Sequence, residues 1–175
     1  MEKVALFEKV SFEEFEKAML NLGFTNNNSE VYDRIKLPKR ATVGSAGYDF
    51  FTPFNFQLAP GETVKIPTGI RCKMQPGWVL MAFPRSGLGF KHRVQLDNTV
   101  GIIDSDYYYS DNEGHIFAKI TNDSNEPDNI ATVNVGEGFM QGIFVAFGIT
   151  EDDNADGVRN GGFGSTTKKE DTKND

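Results

Sequence analysis

The sequence predicts an all-β domain of the sandwich, barrel or jelly-roll kind, with a short helical extension before it and a flexible glycine-rich tail after it. Three observations carry that prediction. Apolar runs of strand length recur from Val31 onward, each closed by Gly, Pro, Asn or Asp. The 18 glycines and 15 phenylalanines supply turn formers and strand-favouring rings together. Only one stretch, close to the N-terminus, has an unmistakable helical period.

That stretch is "VSFEEFEKAMLNLG". Ser11 stands at the cap position and Glu14 three residues later, the spacing of a capping box, while Val10 and Phe15 are placed as a hydrophobic staple. Phe12, Phe15, Met19 and Leu22 form one stripe, and Gly23 ends it. "TNNNSE" reads as a loop, so residues 1–30 are expected to form an extension with one helix, docked on the rest. Residues 31–156 then hold the strands: "VYDRIKLP", "FNFQLAPG", "TVKIPTGIRCKM", "WVLMAF", "RVQLDNTVGIID", "HIFAKITN", "ATVNVGEG" and "MQGIFVAFG". Within them "LDNTV" looks like a hairpin tip. Residues 157–175 have few apolar side chains and are expected to be a mobile tail.

Composition narrows the function. A chain of 175 residues is long enough for one domain with a real core. Its net charge of −7 argues against a nucleic-acid footprint, which needs clustered Lys and Arg. One cysteine, Cys72, excludes an intrachain disulfide and fits a reducing compartment. With His92 and His115 as the only histidines, a zinc site is poorly supplied, and a hard ion held by oxygens suits the chain better. No run of membrane-spanning length is present, so the expected compartment is the cytoplasm, with no membrane partner.

Five stretches hold residues able to do chemistry. "PRSGLGFK" offers Arg85, Ser86 and Lys91, with Gly87 and Gly89 letting backbone N–H groups approach an anion; it is equally a glycine turn with surface cations. "RNGGFGSTTKK" repeats that chemistry around Phe163, although its lysine spacing is not that of a P-loop. "SAGYDFF" puts Asp49 beside a glycine turn, where an Asp usually caps backbone N–H groups. In "GEGFMQGIF" the amide of Gln141 interrupts an apolar run. "GIIDSDYYYSDNEG" runs from two isoleucines into Asp104 and Asp106, which point to opposite faces if the strand continues.

In their order these stretches resemble the trimeric deoxyuridine triphosphatases (dUTPases) of bacterial or phage type. "KLPKRAT" and "IPTGI" extend the likeness, which covers Ile35 to Thr166. The resemblance implies a jelly-roll homotrimer whose sites are each built from three subunits. It also implies hydrolysis of dUTP to dUMP and diphosphate with Mg²⁺, limiting uracil in DNA and supplying dUMP for dTMP synthesis. By that likeness Asp104 orients and deprotonates the water that attacks the α-phosphorus, while Asp106 faces away in a structural part. Tyr107 packs under the deoxyribose and leaves no room for a 2′-hydroxyl. Asn98, with Gly101 in the same stretch, belongs to the uracil hairpin. Arg85, Ser86 and Gly87 bind phosphate, and Asp49 and Gln141 hold waters of the metal-bound triphosphate. Arg159 reaches the γ-phosphate, Phe163 covers the base, and Gly164, Ser165 and Thr166 close over the phosphates.

Three features depart from the family pattern. Residues 108–113 are inserted before Gly114, Arg159 stands one residue closer to its glycine pair, and the N-terminal helix lies outside the usual core. Helix and insert are therefore candidate surfaces for a regulatory partner, which is the rival reading from a different class. A dCTP deaminase would share the fold but needs a glutamate at the exocyclic amine, and "IIDSDY" has none there.

Overall fold

The computed structural model describes residues 2–159 and Gly161. Among them twelve strands alternate with three short α-helices and one 3-10 helix. In order they are β1 (Ala5–Lys9), α1 (Phe12–Asn21), α2 (Asn28–Asp33), β2 (Lys39–Arg40), β3 (Tyr48–Phe51), β4 (Phe56–Leu58), β5 (Thr63–Pro67) and β6 (Ile70–Met74). There follow β7 (Trp78–Pro84), α3 (Ser86–His92), β8 (Val94–Leu96), β9 (Gly101–Ile103), the 3-10 helix Ser105–Tyr109, β10 (Phe117–Asn122), β11 (Ala131–Val133) and β12 (Gly138–Ala146). The strands pair antiparallel in four sheets, ordered β1-β6, β5-β10-β8, β11-β4 and β2-β3-β12-β7-β9. All four turn their apolar faces onto one core, in the jelly-roll manner. Phe7, Leu58, Ile66, Leu80, Ile120, Val133 and Met140 meet there from seven different strands. No described helix is long and apolar enough to cross a membrane.

The predicted helix forms as α1, with Phe15, Ala18 and Met19 buried and the Ser11 hydroxyl accepting from the Glu14 N–H at 3.2 Å. The return half of the capping box does not come from Glu14. Instead the Ser11 N–H and hydroxyl both donate to the carboxylate of Glu113, at 2.7 and 2.6 Å. Gly23, at φ +86°, follows the helix as expected.

Five local expectations change. Residues 5–9, read only as part of a docked extension, form a strand, and Phe7 of β1 enters the main core, so the extension is partly built into the roll. Its expected end at residue 30 falls inside α2. The run "VYDRIKLP" begins as helix because Val31, Tyr32 and Ile35 have helical spacing and pack on Val10, Phe15 and Met19. "PRSGLGFK" coils into α3 despite two glycines, because Leu88 packs on the core and Asn129 donates to the Lys91 carbonyl at 3.0 Å. Finally, "LDNTV" is not a hairpin tip. β8 pairs with β10 and β9 with β7, so the turn carries the chain between two sheets.

Candidate active site

β9 brings Gly101 and Ile103 to the edge of the five-stranded sheet, and pairing stops there. Asp104 follows in extended backbone and starts the 3-10 helix, whose Tyr107 N–H bonds back to the Asp104 carbonyl at 3.2 Å. This coil overturns the strand-based expectation that Asp106 faces away. Once the chain leaves the pleat, both carboxylates reach one guanidinium. Arg159 donates from Nε to Asp106 at 3.0 Å and from its other arm to Asp104. The same guanidinium lies over the Tyr107 ring, 5.9 Å from its centroid. Tyr107 is buried, and its hydroxyl donates to the His115 carbonyl at 2.7 Å while accepting from the Asn112 amide at 2.8 Å. Burial pushes the phenol above its ordinary range, which keeps it a neutral donor.

A cavity of about 620 Å³ opens beside this turn. Asn98, Gly101, Tyr107 and Arg159 line it, as do Ala82 and Met140 from the inward face of the large sheet. Phe117 and Lys119 of β10 also line it, and neither was picked out from the sequence. Their only signal was the period-two alternation of "HIFAKITN", and the buried Ile116 and Ala118 beside them line the cavity as well.

The other predicted residues gather elsewhere. Asp49 on β3 pairs in register with Gln141 on β12, and Gln141 with Phe83 on β7. Arg85, at the end of β7, places Nε 3.3 Å from the Asp49 carboxylate. Ser86 and Gly87 open α3 beside it, both exposed. The Gln141 amide donates to the Pro84 carbonyl at 3.3 Å. A Cβ on residue 47 would lie 2.6 Å from the Gln141 Oε1, so a glycine is what lets that amide stand beside Asp49.

Register fixes how the two groups are related. Directly opposed residues share a face. Ala82, opposite both Gly101 and Gly142, points inward, and so does Met140 opposite Phe50. Asp49, Gln141 and Phe83 are one residue out of step and therefore point outward. The anion and metal candidates thus lie on the opposite face of the sheet from Ala82 and Met140, the inward residues of the cavity that Asn98 and Tyr107 line, although outward-facing Ile102 at the sheet edge also borders that cavity. Phe163, Gly164, Ser165 and Thr166 lie outside the described residues.

A sequence model described as dUTPase matches residues 33–167. A deoxyuridine 5′-triphosphate nucleotidohydrolase of Lactococcus lactis is 43% identical over 135 residues, covering 75% of this chain and 88% of that protein. The crystal structure of a dUTPase from Streptococcus mutans superposes with a TM-score of 0.61 at 35% identity, over 83% of this chain and 98% of the other. A dUTPase from phage phi11 of S. aureus, whose structure is described with a structural Mg(II) ion, shares the fold at 18% identity and TM-score 0.60, over 89% and 98% of the two chains.

Proposed function

This chain belongs to the dUTPase family and is a dUTP diphosphatase, and from that premise we propose how its residues divide the work. One observation carries the assignment. Asn98, Gly101, Tyr107 and Arg159 line a single cavity, and Asp104 is bound to that same Arg159. Uracil and deoxyribose enter this cavity, with Asn98 and the backbone at Gly101 reading the base edge and the Tyr107 ring beneath the sugar. A 2′-hydroxyl is excluded by volume.

Asp104 takes the proton of the water that attacks the α-phosphorus. The new P–O bond forms as the bond to the β-phosphate breaks, and diphosphate leaves. Arg159 holds one oxygen of Asp104, Oδ2, and has to leave it if that oxygen is to serve as the base. The terminal phosphate, a bidentate acceptor of higher charge, gives the guanidinium somewhere to go. Arg85, Ser86 and the Gly87 N–H bind phosphate oxygens, and the stretch from Phe163 to Thr166 covers base and phosphates.

Asp49 and Gln141 suit Mg²⁺ held through water. Both offer hard oxygens on adjacent strands, and Arg85 beside Asp49 disfavours direct ligation there. Among the described residues no cluster of three His, Cys, Asp or Glu side chains could hold an ion, and in this proposal the metal sits mainly on the triphosphate. When bound, Mg²⁺ neutralises phosphate charge as diphosphate leaves.

The reading includes a homotrimer with shared sites, because residues on opposite faces of one sheet cannot grip one small nucleotide. Met81, Phe83 and Ile143 on the outward face are only half-buried, and Ile102 is exposed, an apolar surface suited to a second copy. The enzyme works in the cytoplasm, limiting uracil in DNA and supplying dUMP. Diphosphate release from dUTP, dCTP, dTTP and UTP is the direct test. Release from dUTP should exceed the others by orders of magnitude, and a preference for dCTP would overturn the reading.

A further inference from the structure

Two of the three features outside the family pattern, the N-terminal extension and the insert at 108–113, are joined by the fold. The Ser11 N–H and hydroxyl both donate to the Glu113 carboxylate, at 2.7 and 2.6 Å. The Tyr108 hydroxyl donates to Glu8 of β1 at 2.5 Å, and Arg71 lies over the Tyr108 ring at 4.6 Å and 3.4 Å from the same Glu8. His115 is fully buried. Its Nε2 accepts from the Gly69 N–H at 2.9 Å, and its Nδ1 faces Glu14 of α1 at 3.4 Å.

The inner side of the same loop holds Tyr107. Both partners of its hydroxyl, Asn112 and the His115 carbonyl, lie in the four residues 112–115. Those residues are tightly wound. Glu113 sits at φ +57° and Gly114 at φ +71°, and a Cβ on residue 114 would lie 2.6 Å from the Tyr108 Cα. A left-handed glutamate costs backbone energy, and here its carboxylate is held by two donors from the cap of α1. The loop that fixes the sugar wall is thus itself fixed from outside by the extension.

We propose that the N-terminal extension is the outer brace of the sugar pocket, and that Ser11 and Glu113 are positioning residues for Tyr107. The proposal rests on the dUTP reading above. Neither residue reaches the cavity, so they act only through the pose of the Tyr107 ring. Releasing Glu113 lets residues 112–115 relax, the phenol anchors shift, and space opens for a 2′-hydroxyl.

The test compares steady-state kcat and KM for dUTP and UTP, with Mg²⁺, in the full-length parent and in Glu113→Ala, Ser11→Ala and Ser11→Thr. In Glu113→Ala the ratio of kcat/KM for dUTP over UTP should fall roughly three- to tenfold, while kcat for dUTP stays within about twofold. Ser11→Ala should lose part of the ratio and Ser11→Thr, which keeps the hydroxyl, should restore it. Combining Ser11→Ala with Glu113→Ala should add nothing, since both remove one interaction. A folded Glu113→Ala enzyme with the parental ratio, or one losing both substrates equally, overturns the proposal. Should Glu113→Ala fail to fold, Glu113→Asn, which tolerates the left-handed backbone but is one methylene too short to reach Ser11, carries the same comparison, and an unchanged ratio there is equally fatal. A parent inactive on dUTP would overturn the functional reading and this proposal with it, whereas an active parent with indifferent variants overturns this proposal alone.

Discussion

Asp104→Asn separates the catalytic role of that carboxylate from its structural one, because the two differ greatly in size. Structurally Asp104 pairs with Arg159, and its side chain is 46% exposed. An ion pair so open to water is worth about 0–1 kcal/mol, and asparagine keeps an oxygen that can still accept from the guanidinium. The melting temperature should therefore move by at most a few degrees. Catalytically the amide cannot take the proton of the attacking water. Loss of a positioned general base costs about 10² to 10⁴ in rate, or roughly 3–5 kcal/mol of barrier. Asp106→Asn is the matched comparison, since Asp106 shares the same Arg159 and is 56% exposed. It should melt like Asp104→Asn yet keep most of its kcat. The assay is diphosphate release at saturating dUTP with melting curves on the same preparations. More than a tenth of parental kcat in Asp104→Asn, or an equal collapse in Asp106→Asn, would refute the assignment of the base.

Four further outcomes are expected. A chain ending at Asp156 should stay folded and trimeric but hydrolyse dUTP far more poorly than Phe163→Ala, because stacking is worth about 1–3 kcal/mol per base and the phosphate donors are lost as well. Co-refolding that truncated chain with Asp104→Asn should restore part of the activity, and no recovery in proven mixed trimers would mean each site is built within one subunit. Gly47→Ala should push the Gln141 amide from beside Asp49, given the 2.6 Å clash, and lower kcat/KM by about 10- to 100-fold with little change in melting temperature. Normal turnover would remove Gln141 from the phosphate site. His115 concerns pH: burial pushes its imidazole down to about 4, so the unfolded chain takes up that proton first. Its contribution, about 3 kcal/mol, is complete above the ordinary value near 6.5 and is lost as pH falls toward 4. Glu14, raised by burial, opposes this in part. His115→Gln, which can still accept the Gly69 N–H, should flatten the fall in melting temperature between pH 7 and pH 5, and a parallel fall would locate the acid sensitivity elsewhere.

By itself the sequence determined the β class, the α1 cap and stripe, and the residues worth watching, because each depends on short-range pattern. Short apolar runs bounded by turn residues mark strands such as β7 and β12, a Ser with a Phe–Met stripe marks a helix start, and ordered motifs mark chemistry whatever their spatial arrangement. What it missed were pairings between distant residues. Nothing local could show that "LDNTV" joins two sheets or that β1 closes on β6. Asp104 and Asp106 seemed opposed on strand geometry and share Arg159 because pairing ends at Ile103. The capping box pointed to Glu14 and the fold chose Glu113, 102 residues away, since hydrogen bonding rewards the carboxylate that tertiary packing brings nearest. Strand register, a long-range property, likewise put Asp49 and Gln141 on the face opposite the inward residues of the nucleotide cavity, and so made a second subunit part of the site as proposed.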